Sequence, residues 1–419
     1  VSDNVVRTYR TAFQGLRVRL GYDSSFAATY QDLMAAIARM QPIPKLEGTA
    51  DIYSYQQAFL LASPNTWSPR PIIQSYAAYT PKLLDMNAEH LRGPHSPDHI
   101  LLAVQPIDNR LPTLDDGLSW PLLLTKYEPQ SPIGAFLHLT KRDGVPAPLT
   151  FDVVHEGVHR FDETIAIPQL RDPVFAEFDI APTFSGRVME LLYKLPQIDM
   201  LLDFADGRTL RYRFVSGMAR TPVLISPLVM TNRDFMLLSG GARYLDSNRV
   251  KGIRLVAAGR WRRPSFRLRL SALSMPPTDL SALQFLDPVV RDAGKIERVT
   301  SNCDFGVNSV NERPPDSAMV ASGVLSIVGW SFGFGRTAPS DAVFVTLTDP
   351  RGQQTLVRAR TAPRPDVKEA FRRPEMPDPG FEAFFDVSAL SGPYALGVAQ
   401  QYGDQIVTCR QMALRVVIQ

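Results

Sequence analysis

The feature that most constrains this chain is a change of texture near residue 132. Beyond it, apolar residues stop recurring at helical spacing and alternate in short runs instead. The runs are 136–138, 150–154, 163–167, 174–180, 187–193, 209–214, 249–256 and 265–270. Alternation puts every second side chain on one face, the signature of a half-buried strand. Turn formers separate the runs, and Asp206-Gly207 after residues 201–204 is a hairpin signal. Regularly spaced short strands predict an antiparallel β-sandwich of jelly-roll type over 131–280. Met275-Pro276-Pro277 closes it, and the same texture resumes in runs at 324–328, 342–347, 355–360, 381–387, 394–399 and 413–418. These predict a second β-sandwich, jelly-roll or Ig-like, over 285–419. The chain holds 35 prolines in 419 residues, about 8% against a usual ~5%, which suits short strands and turns.

The first 130 residues read differently. Tyr30, Leu33, Met34, Ile37 and Met40 keep helical spacing until Pro42. Thr80-Pro81 opens a further helix as N-cap and first helical residue, carrying Leu83, Leu84 and Leu91 to Gly93-Pro94. Residues 50–53 and the continuous apolar run 100–104 read as strands, the second buried on both faces. Residues 119–127 read as a last helix. Alternating strands and helices predict a small α/β domain over 1–130. The fold class is therefore multidomain α+β: a small α/β N-terminal domain followed by two antiparallel β-sandwich domains.

Charge excludes some partners. Forty-five basic residues against 42 acidic give a net +3, without the clustered basic footprint that nucleic acid requires. Arg267 and Arg269 alternate with Phe266, Leu268 and Leu270 and read as the wet face of a strand. A P-loop, a dinucleotide fingerprint and a Gly-x-Ser-x-Gly elbow are all absent, so no cofactor is expected. No window holds the ~18 apolar residues of a spanning helix. The chain opens at Val1 without Met or a signal-peptide pattern, which reads as a piece of a longer protein with any membrane anchor upstream. Its two cysteines, Cys303 and Cys409, lie near the start and end of the last region. The first and last strands of a sandwich are often neighbours, so a disulfide is expected. Such a bond persists in an oxidising compartment.

Two groups of residues could carry chemistry. His155-Glu156-Gly157-Val158-His159 matches the H-E-x-x-H pattern of zinc peptidases, which works on a helix. Here Phe151, Val153 and Val154 lead in and a strand pattern follows. On a strand the two histidines stand about 13 Å apart along the backbone, too far to share an ion, so they read as surface histidines beside a hairpin. The second group is Asp51, Tyr53, Tyr55, Gln57, Tyr76, Tyr79, Asn87, His90 and Arg92, joined by Asp115, Asp116 and Trp120. Aromatic faces with planar polar groups suit sugars, which are themselves amphipathic. Gathered at strand ends of an α/β sheet, these residues would form a glycan site. The alternative is tyrosines packed between helices, with Asp115 and Asp116 forming a turn and helix cap before Gly117. Trp261 and Trp330 are further sugar-platform candidates, with core packing as their alternative.

Three passages carry a resemblance. They are Gly48-Thr-Ala-Asp-Ile-Tyr-Ser-Tyr, Arg70-Pro-Ile-Ile-Gln-Ser-Tyr-Ala-Ala-Tyr-Thr-Pro and Asn87-Ala-Glu-His-Leu-Arg-Gly-Pro, and Arg110-Leu-Pro-Thr-Leu-Asp-Asp-Gly-Leu-Ser-Trp-Pro also fits. They resemble a segment of large bacterial polytopic membrane proteins similar to GT-C type glycosyltransferases, in which it follows the membrane helices outside the cytoplasm. Gly329-Trp330, Arg364-Pro-Asp-Val-Lys and Gly380-Phe381 resemble a β-sandwich module appended to bacterial glycan-related proteins. The resemblance implies an extracytoplasmic, periplasmic region of a bacterial inner-membrane protein. Its partners would be a glycan or lipid-linked sugar, and the membrane through an upstream segment. Any catalytic residues of that family would lie outside this chain. A metal-dependent hydrolase using His155, Glu156 and His159 is the alternative, and a structural docking module the third.

Overall fold

A computed structural model describes residues 2–21, 25–53, 55–130, 132–144, 148–193, 195–241, 245–246, 248–276, 286–287, 289–290, 297–301, 303–311, 314–315, 319–321, 323–333, 340–409 and 414–418. The expected boundary after Pro277, between 280 and 285, lies outside the described residues. The chain divides into two compact units: residues 1–149 with 213–223, and residues 150–212 with 224–419. The described residues are α+β with several antiparallel sheets. Among the described residues, no helix is long and apolar enough to cross a membrane.

The first unit begins with helices α1 (Ser2–Arg19) and α2 (Ser25–Met40). Its sheet then forms from β1 (Thr49–Tyr53), β2 (Thr66–Trp67), β3 (His99–Leu102), β4 (Tyr127–Pro129) and β5 (Leu137–Lys141), in the order β2-β1-β3-β5-β4. β1 pairs in parallel with β2 and β3, whereas β5 runs antiparallel to β3 and β4. The first sheet thus extends beyond residue 131. Helices α3 (Gln57–Leu61), α4 (Pro81–Arg92) and α5 (Ser119–Lys126) provide the crossovers that parallel strands need. Ala50, Ile52, Leu60, Leu101 and Phe136 form a buried core cluster. The Thr80 hydroxyl accepts from Leu83 N and caps α4, which buries Leu84, Asn87, Ala88 and Leu91.

In the second unit, two four-stranded sheets come first. One contains β7 (Ile165–Ala166), β9 (Ile198–Phe204), β10 (Thr209–Phe214) and β12 (Val250–Ala257), ordered β10-β9-β12-β7. The other contains β6 (Phe151–Arg160), β8 (Val174–Asp179), β11 (Val223–Ser226) and β13 (Ser265–Leu273), ordered β11-β8-β13-β6. Alternation is visible in burial: Ile198, Met200, Leu202 and Phe204 are buried and the residues between them are not. Residues 187–193 are expected as a strand, but 187–192 belong instead to helix α6 (Phe184–Leu192), and Tyr193 follows it as the C-cap. Thr183 caps it by accepting from Gly186 N, and local capping outweighs the apparent alternation. Helix α7 (Asn232–Ser239) starts on a capping box made by Thr231 and Asp234.

The last region is a sheet of eleven strands. They are β14 (Val289–Val290), β15 (Glu297–Ser301), β16 (Cys303–Val310), β17 (Met319–Ala321), β18 (Val324–Gly333), β19 (Ala342–Thr348), β20 (Gln354–Ala362), β21 (Gly380–Asp386), β22 (Gly392–Tyr402), β23 (Gln405–Cys409) and β24 (Arg415–Ile418). Helix α8 (Pro365–Ala370) lies between β20 and β21. The main path runs β15-β23-β22-β19-β20-β21-β18-β16, a nearly closed, barrel-like arrangement. β20 serves both halves: residues 354–359 pair with β19, and residues 360–362 pair with β21. Leu325, Ile327, Val345, Val357, Phe381, Phe385 and Val398 lie in one core cluster. Cys303 and Cys409 are joined by a disulfide, with Cα atoms 5.2 Å apart.

Candidate functional site

The aromatic-polar residues of the first unit do gather, around two buried arginines. Arg70 is 1% exposed. Its Nη1 donates to Asp51 Oδ2 at 2.9 Å and Ile52 O at 2.7 Å. Its Nη2 donates to Ile73 O at 2.7 Å and the Ser75 hydroxyl at 3.0 Å. The guanidinium lies over the Tyr53 ring, 3.6 Å from its centroid. Asp116 Oδ2 is 3.8 Å from Arg70 Nε and accepts from Asn87 Nδ2 at 2.9 Å. Trp67 Nε1 donates to the other oxygen of Asp51 at 2.8 Å.

Arg110 organises the neighbouring loop. Its Nη1 donates to Tyr76 O at 2.9 Å and Asp115 Oδ1 at 3.2 Å, and its Nη2 donates to the Tyr79 hydroxyl at 2.9 Å. The Asp115 carbonyl accepts from Trp120 Nε1 at 3.3 Å. Asp116 sits at φ 58°, a left-handed conformation that Asp tolerates better than most residues. Its carbonyl accepts from Ser119 N, so the Asp115-Asp116 pair makes the turn into α5. Burial raises both carboxyls, Asp115 to about 6 against the pull of Arg110, and Asp116 to about 6 against that of Arg70. Burial also lowers His90.

Much of this arrangement is closed to solvent. Asp51, Tyr53, Asn87, Asp115, Asp116 and Trp120 are all buried. A cavity of about 20 Å³ between Tyr53, Gln105, Asp115 and Trp120 has room for a single water. Tyr55 packs edge-on against Tyr76, and the Tyr76 hydroxyl donates to Gln74 Oε1 at 2.7 Å. Tyr79 is partly exposed, and Arg92 points away to pair with Asp85 at 3.6 Å. Sequence reasoning assigned no role to Arg70 or Arg110. The available signal was three carboxylates in apolar surroundings, which require buried cations.

His155, Glu156 and His159 lie on β6, a strand and not the helix that zinc peptidase chemistry needs. The histidines nevertheless meet: His155 Nε2 and His159 Nε2 are 2.9 Å apart. The expectation that they stand too far apart holds for the backbone and fails for the side chains. Both rings lean over Gly157, which has no side chain to separate them. Glu163 Oε1 accepts from His159 Nδ1 at 2.8 Å, on the ring nitrogen that does not face His155. Glu156 faces the other side of the strand and pairs with Arg269 at 3.2 Å. Among the described residues, no group of three or more metal-ligating side chains forms.

A cavity of ligand size lies in the eleven-stranded region. It has a volume of about 350 Å³, within the range of small-molecule sites. Ser331 and Phe332 of β18, Gln400 and Tyr402 of β22, Thr361 of β20 and Arg373 line it. A hydrogen-bonded chain fixes its polar wall: the Tyr402 hydroxyl donates to Gln400 Oε1 at 2.7 Å, and Gln400 Nε2 donates to the Ser331 hydroxyl at 2.7 Å. Gly333 makes room for this, because a Cβ there would overlap the Tyr402 hydroxyl. Asp378, on the rim, pairs with Lys368 at 2.8 Å. Trp330 lies against Gly306 and stacks on Phe332 at 5.7 Å, and Phe371 meets Phe332 edge-on at 4.7 Å. Trp330 is thus half-buried in an aromatic cluster with Phe332 and Phe371. The Trp261 carbonyl accepts from Thr183 N beside α6.

No protein-family model and no curated protein matches this chain. A crystal structure of a DUF4785 family protein from Legionella pneumophila is similar over 62% of this chain and 59% of its own, at 8% identity and a TM-score of 0.16. A likeness of that degree carries no argument about fold or function.

Proposed function

We propose that this chain is a glycan-binding or glycan-positioning region on the extracytoplasmic face of a bacterial inner-membrane protein, serving assembly of surface polysaccharide. The GT-C-like resemblance of the first unit supports that setting, and the disulfide, which belongs to oxidising compartments, agrees with it. In this reading the β-rich regions are two sandwiches, and the last is the recognition module. The observation that carries the proposal is the 350 Å³ cavity with its Tyr402–Gln400–Ser331 chain. Planar polar groups held at fixed angles pair with sugar hydroxyls, and Tyr402 adds an aromatic face. The first unit's network holds strand ends and loops together, and in this reading the glycan is held by the last region instead. A glycan array tests the proposal: an oligosaccharide should be retained by the native chain and by Tyr79→Ala, and lost with Tyr402→Ala. Equal loss with both variants, or no retained glycan, removes the reading.

One observation favours a metal-dependent hydrolase, the close approach of His155 and His159. The position of Glu156 on the opposite face argues against it, since the carboxylate of the motif itself is then turned away from the two histidines. Metal analysis of purified protein decides between them, and stoichiometric zinc would favour the hydrolase.

A further inference from the structure

Helix α6 turns its apolar side outward. At about 100° per residue, Phe184, Val188, Leu191 and Leu192 share an arc of about 100°, and Gly186 falls on the opposite side. Gly186 is the buried residue among the nine of this helix, whereas Phe184 is 84% and Leu191 86% exposed. Leu192 and the following Tyr193 are exposed as well. An amphipathic helix on a folded domain normally does the reverse.

The backbone fixes this orientation. Thr183 N donates to Trp261 O at 2.9 Å, and the Thr183 hydroxyl donates to Arg260 O at 3.1 Å. Arg263 N donates to Ala181 O at 3.0 Å. A Cβ at position 186 would overlap the Trp261 carbonyl. The helix therefore rests on the 260–263 turn by its glycine side and cannot roll to bury its leucines. That turn is basic. Arg260 and Arg263 are exposed and line a groove with Arg160 and Thr183, and exposed Arg187 borders the apolar arc. The acidic residue of the helix, Glu190, sits near Arg262, whose Nη2 donates to Pro196 O at 2.6 Å.

We propose that α6 and the 260–263 turn form a docking surface for an anionic phospholipid bilayer. Phe184, Leu191 and Leu192 would enter the boundary between headgroups and acyl chains, while Arg160, Arg187, Arg260 and Arg263 meet lipid phosphates. The charge around the ridge selects this occupant: an exposed apolar ridge bordered by cations suits a fluid anionic surface, which needs no matching groove. The inference stands on this helix and turn and does not depend on the glycan reading.

Vesicle co-sedimentation of the full 419-residue chain tests it, with phosphatidylcholine vesicles prepared with and without phosphatidylglycerol. The chain should bind the anionic vesicles more tightly, and added salt should weaken binding. Phe184→Ser with Leu191→Ser should lower affinity by about tenfold or more. Arg260→Glu with Arg263→Glu should remove the preference for phosphatidylglycerol. The altered side chains are exposed, so thermal midpoints should not move. Failure to bind either vesicle, or binding indifferent to the Phe184/Leu191 pair, overturns the proposal. So does self-association, measured by ultracentrifugation, that the same pair abolishes without any effect on vesicles.

Discussion

Replacing Arg70 by Met should unfold the first unit far more easily than its single missing charge suggests. The substitution removes hydrogen bonds to Asp51, Ile52 O, Ile73 O and Ser75, together with the cation over Tyr53. It also leaves Asp51 and Asp116 buried near a neutral side chain. Breaking a buried pair in this way costs about 3–5 kcal/mol. Much of that is the cost of stranded carboxylates, so the loss should be less than additive with Asp116→Asn, which should recover about 1–2 kcal/mol in the double variant. The chain has four tryptophans, of which Trp67 and Trp120 lie in the first unit. Guanidinium unfolding followed by fluorescence in a Trp261→Phe/Trp330→Phe background reports that unit alone. A cost below about 1 kcal/mol, or strict additivity of the two substitutions, would refute the argument that Arg70 neutralises this core.

Two more effects follow from the same structure. Asp115 and Asp116 have folded pKa values raised to about 6, so their contribution to stability is present below ~4 and is lost as pH rises through 6. A shift of about 2 units corresponds to ~3 kcal/mol per group. Single Asp116→Asn should therefore flatten part of the stability decline between pH 4 and 7 in urea titrations (His138, lowered to about 4 by burial, acts in the opposite sense). An unchanged slope would contradict the assignment. Reducing the Cys303–Cys409 bond, which spans 106 residues, should destabilise the last region by about 4–5 kcal/mol. Cys303→Ser with Cys409→Ser should show the same drop without reductant, and a Tm unchanged by either treatment would contradict it.

The sequence discloses elements whose causes are local. Thr80-Pro81 is sufficient to start α4, because the cap and the fixed proline φ act within one turn. The alternation at 265–270 is visible because Phe266, Leu268 and Leu270 of β13 are buried while Arg267 and Arg269 are exposed. Helix α6 is hard to read for the opposite reason: its apolar residues face out, so its pattern does not report its burial. Long-range polar partners are also hidden. Asp51 and Arg70 are 19 residues apart, and Asn87 and Asp116 29 apart. Local periodicity contains neither pairing, so the cluster could be assembled from residue types while its burial could not. The cavity between β18 and β22 is less visible still, because residues 331–333 and 400–402 meet only through the sheet's fold.

Whether this cavity holds a glycan is decided by calorimetric titration. The oligosaccharide best retained on an array would be titrated into the native chain, Tyr402→Ala and Gly333→Ala. The native chain should bind it saturably, and Tyr402→Ala should abolish binding. Gly333→Ala should weaken binding at an unchanged fold, because its methyl group must push the Tyr402 hydroxyl aside. Heats identical across all three proteins would place the sugar elsewhere and contradict the claim.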